Sequence, residues 1–251
     1  MSGLANRGGM QQMVRPSGER FPIDVVFVVD ATESMTNLLE RVKIRVLTLD
    51  AALRDELDRS KRVLDSLRVK LIVFRDLYDD PHSAFEVTNF FDLPTQRAEF
   101  GNAVSRIEAY GGDDLIESGL EALFLAMRSA WRNEPQDLKR RHIIMLFMDQ
   151  DAHDLGASIP TSFAQPPHPR TIADLKKLWG PPLRGGLMNE RAKRLVLFAP
   201  DSVTSNNGIV TSTHWAEMKE EWENVWLETR TDAGLLDLTW EEVVKTLVAT
   251  I

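Results

Sequence analysis

The segment FPIDVVFVVD, residues 21 to 30, constrains the fold more than any other part of this chain. From Ile23 to Val29 it is β-branched or aromatic at every position except Asp24, with no sustained alternation of apolar and polar residues. A strand exposed on one face alternates, whereas a run that does not alternate is buried on both faces. His142 to Met148 (HIIMLFM) and Arg194 to Ala199 (RLVLFA) have the same character. A further run, LRVKLIVFRD, ends at Asp76. Strands of this kind belong to parallel sheets covered by helices on both sides.

The intervening segments supply those helices. Leu38, Leu39, Val42, Leu49, Leu53 and Leu57 recur at near-helical spacing with charges between them, which predicts a long helical stretch from about Asn37 to Leu67. A weaker strand is expected over Phe85 to Phe91, and a short helix over Gln96 to Glu108, ended by Tyr110-Gly111-Gly112. Further helices are expected over Leu115 to Trp131, His214 to Glu228 and Thr239 to Val248. Strands alternating with helices imply βαβ crossovers of right-handed sense. The expected fold is therefore α/β: a three-layer, doubly wound, Rossmann-like arrangement with a mostly parallel sheet and helices on both faces. A length of 251 residues, with 43% apolar and 27% charged, suits one domain. That domain is expected over residues 21–251, after a flexible tail of residues 1–20 that lacks the apolar stretch of a secretory leader. Six of the twelve prolines fall between Pro160 and Pro182. They predict a loop insertion at about 155–186 around the short helix TIADLKKLW, a candidate partner-facing element.

Composition narrows the function. The net charge of -8 argues against binding nucleic acid, which needs a basic footprint. No apolar run reaches the roughly 18 residues of a membrane span, so no membrane association is expected. The absence of cysteine excludes disulfides, thiolate zinc sites, iron–sulfur clusters and a thiol nucleophile, and fits a reducing, cytoplasmic setting.

In doubly wound sheets, ligands bind outside the carboxyl ends of the strands, and three strands here end in aspartate: Asp30, Asp76 and Asp149. After the first, Asp30, Thr32 and Ser34 alternate in DATESM, so an extended turn can point all three to one side. One carboxylate and two hydroxyls suit a hard divalent cation, which prefers oxygen donors. Thr36 is positioned to cap the following helix. Asp149, in FMDQDAH, could complete the ion's surroundings directly or through water, and Asp113 or Asp114 would offer a third loop ahead of a helix. Burying Asp30 beside Asp149 without a cation would be costly. His153 is not expected as a ligand, because magnesium avoids imidazole. His82, His142, His168 and His214 have no partner at metal-ligand spacing. Asp76 reads as part of a structural salt bridge or turn.

The pattern D-x-T-x-S-M after a buried first strand resembles the von Willebrand factor A domain. The resemblance covers roughly residues 21 to 251. It implies a metal-ion-dependent adhesion site formed by Asp30, Thr32 and Ser34, then Asp113 or Asp114, then Asp149, holding Mg2+ (or Mn2+ or Ca2+). The threonine usual in the second loop is absent here. Position favours Asp113 in its place, whereas alignment by the downstream Glu117 favours Asp114. The strand ending Phe74-Arg75-Asp76 and the turn from Gly112 to Glu117 are similar to the bacterial intracellular branch. That branch implies work beside an ATPase, kinase or phosphatase in stress or conflict systems. The family's mode of action implies a protein partner that offers an acidic residue to the ion.

Enzyme classes fit less well. A haloacid-dehalogenase-type phosphatase needs a second acid where Thr32 stands, and a receiver needs a lysine where the fifth strand ends LFAPD. Neither a phosphate-binding G-x-x-x-x-G-K-[ST] loop nor a G-x-S-x-G elbow occurs. The expectation is a metal-dependent protein-binding module that is not an enzyme. The alternatives are a metal-independent scaffold using its C-terminal tryptophans and, less favoured, a Mg-dependent phosphotransfer enzyme. Those tryptophans form a stripe: Trp215, Met218, Trp222 and Trp226 fall on one helical face, read as core or as a partner-binding surface.

Overall fold

The computed structural model of the protein describes residues 19–79, 81–111, 116–133, 139–156, 158–204, 207–229 and 238–251. Glu19 and Arg20, expected in the tail, already belong to the first strand, and the rest of that tail lies outside the described residues.

Strand β1 (Glu19–Asp30) lies at the centre of a mostly parallel sheet. It pairs in parallel with β2 (Arg62–Phe74) on one side and β5 (Arg141–Phe147) on the other. Beyond β5 the sheet continues, still parallel, through β6 (Lys193–Ala199) to β9 (Val225–Thr229). Two short strands, β3 (Phe85–Val87) and β4 (Phe91–Leu93), pair antiparallel with β2. Among the described residues the sheet has seven strands, and a separate hairpin joins β7 (Ser202–Thr204) to β8 (Val210–Ser212).

The chain steps from β1 outward to β2 and later returns to β5 on the opposite side of β1. Right-handed crossovers in opposite directions place helices on opposite faces. Accordingly, Val25, Phe27 and Val29 face one apolar cluster, and Val26 and Val28 face another. The first cluster holds side chains of α1 (Thr36–Val46), α2 (Leu49–Arg59), α3 (Arg97–Ser105) and α7 (Trp240–Ala249). The second holds those of α4 (Gly119–Met127), α5 (Ile172–Trp179) and α6 (His214–Glu221). Every residue of α4 is buried, so it carries no polar stripe, as expected of a helix enclosed on all sides. Helix α5 lies in the proline-rich segment, capped by the Thr171 hydroxyl, which accepts from the Asp174 N–H.

Several boundaries differ from the sequence reading. The stretch from Asn37 is two helices broken at Leu47-Thr48, and it ends at Arg59, where Lys61 adopts a left-handed φ of 57°. Strand β2 starts at Arg62, earlier than expected, and its register against β1 slips after Phe21, which leaves Asp65 unmatched. That irregularity lets Leu64 and Leu67, three residues apart, both be buried, a spacing that imitates a helix. Phe85 to Phe91 splits into β3 and β4, and the helix predicted from Leu115 is shortened to α4. Thr36 is not a cap: a 3₁₀ turn (Glu33–Met35) precedes α1, and the Thr36 hydroxyl donates to the Glu33 carbonyl. The tryptophan stripe is not one helix. Helix α6 ends at Glu221, Asn224 turns through a left-handed φ of 62°, and Trp226 sits on β9. Trp215, Met218 and Trp222 are buried in the second cluster, so they form core and not a docking face.

Candidate functional site

The carboxyl ends of β1 and β5 meet where the strand order reverses, the place where open α/β sheets form a binding crevice. Asp30, the last residue of β1, is fully buried. Its Oδ1 accepts from the Thr32 N–H and the Thr32 hydroxyl, each at 2.8 Å, which closes a compact turn. The Thr32 and Ser34 hydroxyl oxygens lie 3.3 Å apart, Thr32 buried and Ser34 exposed. The three residues read from the sequence therefore do converge, with Ser34 on the solvent side. Asp30 Oδ2 is buried and accepts no hydrogen bond.

Neighbouring backbone pins this turn in place. The Ala31 N–H donates to the Phe74 carbonyl on β2, and the Ala31 carbonyl accepts from the Tyr110 N–H at 3.0 Å. The Glu33 N–H donates to the Gly111 carbonyl, so the loop leading to residues 112–115 is tied directly to the Asp30 turn. Gly111 has a φ of +77°, a conformation that glycine adopts without a Cβ penalty. Asp113 and Asp114 themselves lie outside the described residues.

Asp149 follows β5 by two residues and is buried. Its charge and Asp30's act on each other. Burial first, and Asp149 in addition, raise the Asp30 carboxyl to about 7, while the Thr32 donors and the Arg75 guanidinium pull the other way. Arg75 is itself buried at the end of β2. It donates to the Glu108 carbonyl and to Glu86 (3.0 Å), and its guanidinium lies 3.8 Å from the centre of the Tyr110 ring. It thus braces the loop that reaches the Asp30 turn. Asp76 does not pair with Arg75. It accepts from the Tyr78 N–H (2.9 Å) and the Ser118 hydroxyl (3.2 Å), a turn role, with His153 Nε2 at 3.5 Å.

Two features escaped the sequence reading. His214 is not idle: its ring nitrogens lie 3.0 Å from Asp151 Oδ1 and 3.0 Å from Asp154 Oδ1, tying the loop after Asp149 to the start of α6. Hydrogen bonding to Asp151 is the first cause that raises its pKa to about 9. The acids of the sequence QDAHD were visible, but their partner stands some sixty residues away and could not be inferred from spacing. Glu121, on the first turn of α4, is a buried carboxyl near Asp76 that burial raises to about 7. Its place in an apolar helical run gave no signal of chemistry.

Among the described residues, no group of three or more histidine or acidic side chains is placed to hold a metal ion. Any cation at the Asp30 turn would rely on two carboxylates, two hydroxyls and the undescribed loop. Among the same residues, no helix is long and apolar enough to cross a membrane.

Neither a protein-family model nor a curated protein matches this sequence. In fold, the chain resembles the pilus adhesin SpaC from Lactobacillus rhamnosus GG, with a TM-score of 0.53 at 12% identity, in two crystal structures. The match covers 91% of this chain and 30% of the adhesin, so this chain spans under a third of that protein. Proximal thread matrix protein 1 from the mussel byssus aligns at a TM-score of 0.43 and 12% identity, over 91% of this chain and 46% of that one. At these identities the likeness to the adhesin is one of fold: a mixed α/β unit with a mostly parallel sheet.

Proposed function

We propose that this chain is a doubly wound domain of the von Willebrand factor A type, acting as a divalent-cation-dependent protein-binding module and not as an enzyme. Asp30, Thr32, Ser34 and Asp149, with Asp113 or Asp114, would hold the ion, Mg2+ or else Mn2+ or Ca2+. The observation that carries the reading is Asp30. Its carboxylate is fully buried, with Oδ1 organising the Thr32 turn and Oδ2 accepting no hydrogen bond, in the field of a second buried carboxylate, Asp149. Two buried acids that repel each other beside two hydroxyls fit a hard cation well. When bound, the ion would supply a positive centre that attracts a carboxylate from a partner protein. Arg75 and the Ala31–Tyr110 hydrogen bond would hold the loops around it. The fold shared with part of a pilus adhesin agrees with a binding role.

The test is a thermal melt in EDTA and then in excess Mg2+, Mn2+ or Ca2+, run beside Asp30→Ala. A cation present at about 100 times its dissociation constant stabilises the native state by about 2.7 kcal/mol. The expected result is a rise of several degrees in the wild type that Asp30→Ala abolishes. An unchanged melt of the wild type with all three cations would overturn the proposal.

A further inference from the structure

The crevice has a rim with its own chemistry. Three exposed apolar or aromatic side chains stand on segments tied to the Asp30 turn or to the loop after Asp149: Tyr78 (55% exposed), Tyr110 (44%) and Ile116 (40%). The Tyr110 N–H donates to the carbonyl of Ala31, one residue before Thr32, and its ring rests on the buried Arg75 guanidinium. Tyr78 donates its N–H to Asp76, and its ring centre lies 4.8 Å from that of His153. Ile116 precedes Glu117, which bridges to Ala152 in the loop after Asp149. Both tyrosine rings are thus held from beneath while their outer faces meet solvent. An aromatic side chain fixed before binding offers contact area at little cost in conformational freedom, which is why tyrosine anchors so many interfaces.

The charges beside these anchors are mostly acidic. Glu33, in the Asp30 turn, is exposed, as are Glu108 ahead of Tyr110, Asp79 after Tyr78 and Asp154 after His153. The Asp154 side chain is 95% exposed although it accepts from His214. The nearby cations are largely committed. Arg75 lies under Tyr110 and binds Glu86, His214 sits between Asp151 and Asp154, and His153 stands against Asp76. Arg106, just past α3, is exposed.

A carboxylate approaching the crevice must cross this acidic margin. Such a field repels a uniformly acidic partner and favours one whose single acid is flanked by cations. We propose that the rim docks an extended protein segment carrying one aspartate or glutamate between lysines or arginines, with Tyr78 and Tyr110 as its anchors. This rests on the cation-centred reading above and adds the partner's character. Asp30 and Thr32 are buried and Ser34 is exposed, so the centre admits a reaching side chain and not a broad surface.

The experiment pans a phage-displayed library of random dodecapeptides against the full chain in Mg2+, with elution first by EDTA and then by acid. The expected peptides share one acid with basic residues on both sides, and bind more weakly as salt rises. Binding of a consensus peptide should fall about ten-fold or more in Tyr110→Ala and in Tyr78→Ala. The Mg2+-induced rise in melting temperature should be unchanged in both variants, which separates lost contacts from lost folding or lost metal. Enriched peptides without basic flanks, tyrosine variants that bind as tightly as the wild type, or no enriched sequence at all would each overturn the proposal. Basic-flanked peptides that resist EDTA, bind Asp30→Ala equally and still need both tyrosines would overturn the cation reading and uphold the rim.

Discussion

Glu121 offers a test of the energetics that does not depend on any ligand. Its carboxyl is buried on the first turn of α4, with Asp76 adding like charge and neither carboxyl oxygen accepting a hydrogen bond. Burial, the largest cause, raises it from 4.5 to about 7. The folded protein therefore holds this proton over a range where the unfolded chain has lost it. Stability from the neutral form is complete below about pH 4.5 and is lost as pH rises through 7. A difference of 2.5 pH units at 1.36 kcal/mol each amounts to about 3 kcal/mol. Glu121→Gln stays neutral at every pH, so it removes this slope. Near pH 5 the variant and wild type should melt within a degree or two of each other. At pH 8 the variant should be more stable by up to about 3 kcal/mol, roughly 6 to 12 °C for a domain of this size. The assay is a set of melts from pH 5 to 8 in EDTA, followed by near-ultraviolet circular dichroism. Parallel profiles for the two proteins would refute the reasoning, because Glu121 would then be ionised in the folded state with its charge compensated.

Further predictions concern packing and charge. A Cβ at Gly119 would stand 2.8 Å from Met148 Sδ and 3.0 Å from the Trp215 ring. Gly119 opens α4, where alanine gains less than the interior value of about 1 kcal/mol, and overpacking costs about 1–3 kcal/mol, so denaturant titration of Gly119→Ala should show net destabilisation; a gain would mean that Trp215 shifts freely. Asp24 is buried and accepts from Nε and Nη2 of Arg68 (2.9 and 2.6 Å) and from the Arg132 backbone N–H (3.0 Å). Asp24→Ala leaves these groups uncompensated and should cost about 3 kcal/mol or more. The double variant with Arg68→Met should recover part of that loss; a double variant no better than the single one would argue against charge as the cause.

The sheet was legible because its information is local. Residues 23–29, 142–148 and 194–199 are apolar without alternation, and a strand buried on both faces is the only strand that needs such a run. The Asp30, Thr32 and Ser34 turn was legible for the same reason, since its hydrogen bonds span two residues. What failed depends on contacts between distant segments. The slip at Asp65 exists only in the pairing of β1 with β2, so the three-residue spacing of Leu64 and Leu67 read as helical. Trp222 and Trp226 are four residues apart whether or not a helix joins them, and only pairing with β6 makes Val225 to Thr229 a strand. His214 acquires its role from acids on another loop, and Glu121 from being enclosed.

The same division explains why the crevice is built as it is. The Asp30 turn is assembled locally, but each loop around it is fastened to a different element. The Tyr110 loop is held by Arg75 of β2's end, the Asp149 loop by His214 of α6, and the 116–118 segment by its bridge to Ala152. Loops carry no packing of their own, so their precision has to come from such ties. The first two ties use charged or aromatic side chains, and the third is a backbone bridge. Arg75 illustrates the cost: it is buried, and its Nε has no hydrogen-bond partner. A buried guanidinium is hard to justify as a stabilising element. Its cation beside Asp30, its grip on Glu108 and its support of Tyr110 all serve the crevice, so replacing it should disturb binding at the crevice more than it disturbs the fold.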